Sequence, residues 1–170
     1  KDILMTNSNS PFGLKPVRHL LGLPFNGSVK PYFIASTYGT ALFLGDPIIR
    51  VAGGSNAARV VAPGAGEFEI GTLPSIEKAT AGDGNRISGV IVGFAALPTD
   101  LTKVHNPAST ERIAFVNDDP FTVFEIQADG AIPAASIGLN AVLIFTQSGS
   151  TTTGLSGVEL DTTSDVPAAD

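Results

Sequence analysis

Cysteine and tryptophan are both absent from this chain, and histidine occurs only twice. Without cysteine the protein can form no disulfide, no thiolate metal site and no thiol nucleophile. Charged residues are also scarce, at 15% of the chain, whereas apolar residues make up 43%. We therefore expect the middle of the sequence to be ordered and stabilised by packing or by assembly, with part of its low-charge surface covered by partners.

Long apolar runs are missing as well. No stretch is long enough to cross a bilayer, and the first residues lack the charged-then-apolar order of a secretory signal. These absences predict a soluble protein, made in a cytoplasm and without a membrane partner. The formal net charge of −6 argues against a dedicated nucleic-acid binder, because phosphate contacts need clustered Lys and Arg.

What charge there is lies unevenly along the chain. Residues 1–30 contain four basic residues and one acidic residue, a formal charge of +3, which leaves −9 for residues 31–170 because the whole chain has −6. The sequence therefore places a basic arm before an acidic body, and these two parts attract each other electrostatically.

From Val29 onward, short runs of β-branched and aromatic residues alternate with turn-forming Gly, Pro, Asp and Asn. No window predicts an amphipathic helix, and Pro133–Ile137 favours at most one short helical turn. The pattern predicts an all-β fold, a small antiparallel β-barrel or β-sandwich, with a β-tulip-like arrangement as one form. The expected strands are Val29–Ile34, Ala41–Leu44, Ile48–Val51, Arg59–Val61, Phe68–Leu73, Ile87–Ala95, Arg112–Val116, Phe121–Gln127, Asn140–Thr146 and Gly157–Leu160.

Three segments follow from this pattern: an extended N-terminal arm over residues 1–28, a β domain over residues 29–161 and a C-terminal tail over residues 162–170. The arm shows no helical or strand period and has too few neighbours of its own to bury its apolar side chains. We expect these to pack on the body or on an adjacent subunit. They are Phe12, Leu14, Val17, Leu20, Leu21, Leu23 and Phe25.

The charged cluster Lys15, Arg18 and His19 is the main polar feature of the arm. An extended basic arm can bind nucleic acid or dock on an acidic neighbouring subunit. The charge of −9 on the body favours docking, which would also let identical chains attract one another.

Candidates for catalysis are few. Nucleophilic catalysis needs a hydroxyl beside a base, and neither His19 nor His105 lies in a suitable motif, so we interpret both as solvent or interface histidines. Ser156 lacks the second glycine of a nucleophile elbow, since Val158 stands in that position. No phosphate-binding glycine motif is present. The sequence thus predicts a protein that is not an enzyme and needs no cofactor.

Carboxylates offer the other possible chemistry. Asp83 and the pair Asp118 and Asp119 could supply oxygen ligands to an ion, but both segments are ordinary turn sequences, so we predict no metal site. Glu67 and Glu69 share one face of a predicted strand, and Glu125 lies in another. A like-charged pair on one strand face is more often solvated or partner-facing than catalytic.

Five segments, taken in order, resemble a family of tailed-bacteriophage virion proteins, namely capsid decoration (cement) or head-associated structural proteins. They cover residues 10–20 (SPFGLKPVRHL), 24–27 (PFNG), 38–47 (YGTALFLGDP), 89–94 (GVIVGF) and 116–127 (VNDDPFTVFEIQ). The similarity runs from about Pro11 to Asp161, and the resembled proteins continue with a further strand beyond the position of Asp170.

The resemblance implies a decoration protein on the capsid exterior of the virion, synthesised in the host cytoplasm. Such a protein is often a trimer and clamps neighbouring major capsid protein subunits. It implies that Phe12, Leu14, Val17 and Leu20 insert between subunits while Lys15 and Arg18 set the register on acidic surfaces, with Phe25 in the same arm. Two alternatives stay open: a tail, head-fibre or minor head component, and a carbohydrate-binding β module.

Overall fold

The computed structural model describes residues 9–54, 59–60, 67–68 and 71–166. Within these ranges the chain forms β-strands and one short 3-10 turn, Ala134–Ser136, so the all-β prediction is confirmed. No helix in this part of the chain is long and apolar enough to cross a membrane. The strands are β1 (Lys15–His19), β2 (Lys30–Ile34), β3 (Pro47–Gly54), β4 (Arg59–Val60), β5 (Glu67–Phe68), β6 (Pro74–Lys78), β7 (Gly89–Phe94), β8 (Arg112–Asn117), β9 (Thr122–Glu125), β10 (Asn140–Ile144) and β11 (Glu159–Val166).

Five strands close into a barrel in the order β2-β6-β3-β7-β8. Four of the five seams are antiparallel, as predicted. The fifth seam, between β2 and β6, is parallel and consists of the single pair Phe33 and Ser75. The expectation of an antiparallel barrel is therefore correct except at this short closing seam.

The barrel strands bury side chains on both faces. On β2, Tyr32 and Ile34 belong to one buried cluster while Phe33, between them, belongs to a second, as the two-residue period of a strand requires. The first cluster also holds Leu42, Ile48, Ile76, Ile91, Ala114 and Val116. The second holds Leu73, Ala95 and Ile113. Each large side chain buried in this way contributes about 1.5–3 kcal/mol.

Strand β7 is central in the barrel, where it pairs with both β3 and β8. Its glycines allow close approach. A Cβ added at Gly89 would lie 2.6 Å from the Val116 Cγ1 atom and 2.7 Å from the Asn117 carbonyl oxygen. The register with β8 shifts between Ile91 and Gly93, the site of a bulge. The predicted strand Ile87–Ala95 is confirmed as β7, Gly89–Phe94.

Several elements differ from the sequence prediction. Strands β1 and β6 were not expected, and Ala41–Leu44 forms only isolated bridges, from Leu42 to Asn106 and from Leu44 to Leu155. Strand β11 continues to Val166, where it pairs with Asn140 of β10, so the chain is ordered beyond the predicted domain end at residue 161. Residues 1–8 of the predicted arm and 167–170 of the predicted tail lie outside the described residues.

Candidate partner interface

The arm is anchored on the barrel at Gly13. The Leu14 amide donates a hydrogen bond to the Gly45 carbonyl oxygen at 2.9 Å. Gly13 has a φ of 72°, and a Cβ there would lie 2.6 Å from the Ser156 Cβ atom and 2.7 Å from the Gly45 oxygen. Only glycine fits this backbone conformation without strain and allows this approach. Phe12 and Leu14 on either side are half-buried.

Beyond Leu14 the arm becomes strand β1, which pairs antiparallel with β9. At its far end the chain turns back on itself. The His19 amide donates to the Leu23 carbonyl at 2.7 Å, and the Gly22 amide donates to the His19 carbonyl at 2.9 Å. The Leu20 amide donates to the Phe121 carbonyl at 2.7 Å, which ties this turn to the loop before β9. The turn is thus held by backbone hydrogen bonds on both sides.

This turn presents the largest group of neighbouring exposed apolar side chains in the arm. Leu20 is 69% exposed, Leu21 89%, Leu23 65% and Phe121 61%. We call these four residues the apolar tip. Single exposed apolar residues are common, but four within one turn and the loop bonded to it form a candidate surface for contact with another molecule.

Charged and titratable groups lie along β1, with Lys15 at the end away from the apolar tip and Arg18 and His19 beside it. The Lys15 ammonium lies 3.8 Å from the Glu125 carboxylate, and both side chains are largely exposed. Arg18 is exposed, next to the tip. The His19 Nδ1 atom lies 2.9 Å from the Asp119 carboxylate, and its ring contacts Phe25 with 6.4 Å between ring centroids. His19 therefore links the arm to the loop that contains Phe121.

The seven arm residues predicted to bind a partner separate into two groups. Phe12, Leu14 and Phe25 are half-buried against the protein itself, and Lys15 has an ion-pair partner in its own chain. Val17, Arg18 and Leu20 are exposed and available to a partner. Leu21 and Leu23 were expected to pack on the body or on an adjacent subunit but were not among these seven, and Phe121 was not considered as a partner residue. The run of three leucines within residues 20–23 was a usable signal, whereas Phe121 lies far away in sequence.

A second exposed apolar group surrounds the 3-10 turn. It consists of Ile132, Ile137 and Leu139. The neighbouring cavity is small, about 50 Å³, and it also includes polar Ser136, Asn140 and Thr162 in its lining. Three apolar residues beside a small cavity with a partly polar lining form a smaller candidate surface than the four residues of the apolar tip.

The polar residues considered for catalysis have structural partners. Ser156 is buried and donates from its hydroxyl to Asp46 Oδ1 at 2.6 Å. Asp46 is fully buried and also binds the Lys78 ammonium at 2.7 Å and the Phe43 amide at 2.8 Å. This cluster joins three separate segments of the chain. It holds the loop before β3, strand β6 and the loop before β11 together.

His105 is buried, which corrects its interpretation as a solvent or interface residue. Its ring stacks on Phe43 with 5.1 Å between centroids. Burial, with further contributions from Lys103 and Arg112, lowers the pKa of His105 below its ordinary value, so the ring is neutral near pH 7. Arg112 is also buried and donates to the carbonyl oxygens of Ala95, His105 and Lys103. These contacts make both residues part of the packing around the barrel end.

The acidic residues considered as ion ligands lie in turns, and two of them form ion pairs. Asp118 Oδ2 accepts hydrogen bonds from Lys30 at 2.9 Å, Tyr32 at 3.0 Å and Arg50 at 3.3 Å. Burial raises the pKa of Asp118, but hydrogen bonds from Lys30 and Tyr32 outweigh it, and the pKa is below the usual value. Asp119 accepts from the Phe121 amide and faces His19.

Among the described residues, no group of three or more His, Asp or Glu side chains is placed to hold a metal ion. Asp83 lies in an exposed turn in which Asn85 donates to the Ala81 and Gly82 carbonyl oxygens. Glu125 is exposed beside Lys15. Glu69 and the side chain of Glu67 lie outside the described residues.

Comparison with known proteins gives no relative for this chain. No protein-family model, curated protein or solved structure matches it.

Proposed function

We propose that this protein is a structural component of a tailed-bacteriophage particle, a decoration or cement protein that binds across neighbouring major capsid protein subunits. The observation that carries the proposal is the apolar tip, whose four large side chains are exposed although backbone hydrogen bonds hold the turn and tie it to the Phe121 loop. The resemblance of five ordered segments to phage virion proteins supports the same function. In this proposal the protein needs no cofactor and catalyses no reaction.

The mechanism is burial of apolar surface at several subunits at once. Each leucine of the tip that becomes fully covered contributes about 1.5–3 kcal/mol to the contact. The turn is already held by the hydrogen bonds of Leu20 and His19, so little conformational entropy is lost on binding. Arg18 beside the tip favours an acidic neighbour and fixes the orientation of docking. Many copies on one shell add their effects and raise the barrier to rupture.

We propose that the protein is synthesised in the host cytoplasm and lies on the capsid exterior of the virion. There it is assembled as a homo-oligomer, a trimer in the simplest case. A tail, head-fibre or minor head component would use the same tip with far fewer copies per particle. A carbohydrate-binding module would need exposed aromatic platforms, but the chain has no Trp, Tyr32 is buried, Tyr38 is half-buried, and the exposed ring of Phe121 lies beside the leucines of the tip. Counting copies per particle separates the first two: hundreds fit decoration, a handful does not.

The direct test is a shell-stability measurement with a matched pair of variants. Particles that lack the protein are supplied with wild-type protein, with Leu21→Asp or with Leu101→Asp, and the temperature of genome release is measured. Leu101 is 79% exposed, like Leu21, but lies in a different loop. Wild type and Leu101→Asp should bind and raise the release temperature, whereas Leu21→Asp should do neither. Equal stabilisation by both variants would contradict the proposed use of the tip.

A further inference from the structure

An apolar groove lies at the opposite end of β1 from the apolar tip. It has a volume of about 440 Å³ and is open to solvent on one side. That volume is within the range of about 300–1,000 Å³ typical of ligand-binding clefts, so the groove has room for more than one leucine side chain. Its apolar lining comes from the arm, the barrel and the loop before β11, and includes Phe12, Leu14, Leu44, Ile91, Val92 and Leu155.

The tip cannot fill the groove of its own chain. The groove includes Lys15 and Pro16, at the start of β1, whereas the tip begins at Leu20. With a rise of about 3.3 Å per residue, an extended strand separates them by roughly 17 Å. Pairing of β1 with β9 keeps the segment extended, and the Leu20 hydrogen bond to Phe121 holds the tip at the far end.

Charge is complementary between the two surfaces when they belong to different copies. Arg18 is exposed beside the tip. Glu125 lines the groove and its side chain is more than half exposed. The Lys15 ammonium lies 3.8 Å from its carboxylate, which is a long distance for an ion pair. The same complementarity extends to the whole chain, since the arm, residues 1–28, carries a formal charge of +2 and residues 29–170 carry −8. A tip that enters the groove of another copy brings Arg18 towards Glu125 and a basic arm towards an acidic body.

From these observations we infer that the apolar tip of one copy inserts into the apolar groove of a second copy, with Arg18 of the first beside Glu125 of the second. The inference rests on the proposed function in treating the tip as a contact surface, but it concerns the isolated protein, in which no shell subunit competes for the tip. Because tip and groove are different patches, the contact is of the kind that repeats from copy to copy. Such contacts form a ring if the rotation between copies closes and an open filament if it does not. The trimer of the proposed function requires the ring.

The test is the molar mass of the purified protein in solution, measured by light scattering after size exclusion at micromolar concentration. Wild type and Leu101→Asp should form the same closed oligomer. Leu21→Asp, in the tip, and Leu155→Asp, in the groove, should each raise the dissociation constant about tenfold to a hundredfold and shift the protein towards monomer. Circular dichroism confirms that each variant is folded.

Mixing the two variants gives the decisive result. Leu21→Asp keeps an intact groove and Leu155→Asp keeps an intact tip, so a mixture should form a one-to-one dimer and nothing larger. A second pair tests the charges: Arg18→Glu and Glu125→Arg should each weaken association, and their mixture should restore it. This pair remains informative if Leu155→Asp fails to fold, because both of its positions are exposed.

Three outcomes would overturn the inference: a monomeric wild type, an oligomer that neither tip nor groove variants weaken, or a mixture that stays monomeric. None of them depends on the phage particle. A wild type that self-associates as described but does not stabilise capsids would instead disprove the proposed function. A monomer whose tip is still required on capsids would show that the tip binds the shell subunit.

Discussion

The barrel interior and the apolar tip are built from similar side chains in opposite surroundings. In the barrel, Ile34, Ile48 and Ile91 are at most 1% exposed, whereas in the tip Leu21 is 89% exposed. Both regions are held by backbone hydrogen bonds, but only the barrel strands have side-chain neighbours on both faces. Hydrogen bonds therefore fix the shape of the tip without covering it. The same apolar residue stabilises the fold in one place and remains available for a partner in the other.

The largest expected effect comes from replacing a large apolar side chain by alanine in each of the two regions. Phe33→Ala removes a ring buried against Leu73 and Ile113 and should lower the free energy of unfolding by about 3–5 kcal/mol. Leu21→Ala should change it by no more than about 0.5 kcal/mol, because little area becomes newly exposed. Urea unfolding of both variants measures the difference. Similar losses would mean that the tip is covered within its own chain.

A slightly smaller effect is expected from the buried ion pair that closes the barrel end. Asp46→Asn removes the charge opposite Lys78 and should cost about 3 kcal/mol, at the low end for a broken buried pair because Lys78 keeps some solvent contact. Asp100→Asn removes one charge of the exposed pair with Lys103 and serves as the control. If the urea midpoints of both variants fell equally, the buried pair would stabilise the protein no more than the exposed pair does, and the prediction would be wrong.

Substitutions at two glycines allow the anchored end of the arm to be compared with the exposed turn at its other end. Both Gly13 and Gly22 have positive φ, and alanine at such a position costs about 1–2 kcal/mol. Only Gly13 lacks space for a Cβ, whereas nothing lies within 4 Å of a Cβ at Gly22. Gly13→Ala should therefore be the more destabilising and should release the arm to limited proteolysis. Equal protease sensitivity of the two variants would argue against the anchor.

The smallest effect concerns a buried acid on β11. Glu159 is 1% exposed, its Oε1 atom has no hydrogen-bond partner among the described residues, and burial together with Asp129 raises its pKa above 4.5. Below pH 4.5 the Glu159 carboxyl is mostly neutral in both the folded and the unfolded state, so its burial does not lower the free energy of unfolding. As the pH rises from 4.5 through the folded-state pKa, the unfolded state loses its proton first and stability falls.

Glu159→Gln should remove this loss, so the variant should gain stability relative to wild type as the pH rises above 4.5, and the gain should level off above the folded-state pKa. Thermal unfolding at several pH values measures it. Asp118 acts in the opposite sense and lower in pH, because its lowered pKa makes stability fall on acidification below 3.8. A constant difference between variant and wild type across this range would mean that Glu159 is ionised to the same extent in both states.

Part of this fold could be read from local sequence. The apolar segment Ile87–Ala95 was predicted as a strand, and it forms β7, which pairs with both β3 and β8. Strand β6 was missed because it begins at Pro74 and has Ile76 as its only large apolar residue. It is a strand because β3 pairs along its length on one side and β2 closes the barrel on the other.

For the candidate interface, too, only part could be predicted from local sequence. Composition placed a basic, apolar arm before an acidic body, and the arm does contain the apolar tip. Which of its residues face solvent could not be predicted, because Phe12 and Leu14 are covered by segments near residues 45 and 155. Phe121 joins the tip through one long-range hydrogen bond to Leu20.

The sequence by itself determined the all-β class, the absence of thiol chemistry and the separation of charge between arm and body, because these follow from residue types and short-range periodicity. Tertiary structure alone decided the closure of the barrel, the burial of His105 and the grouping of Leu20, Leu21, Leu23 and Phe121. Each of these depends on pairing between residues far apart in the chain. Local propensity contains no information about which distant strand supplies the partner.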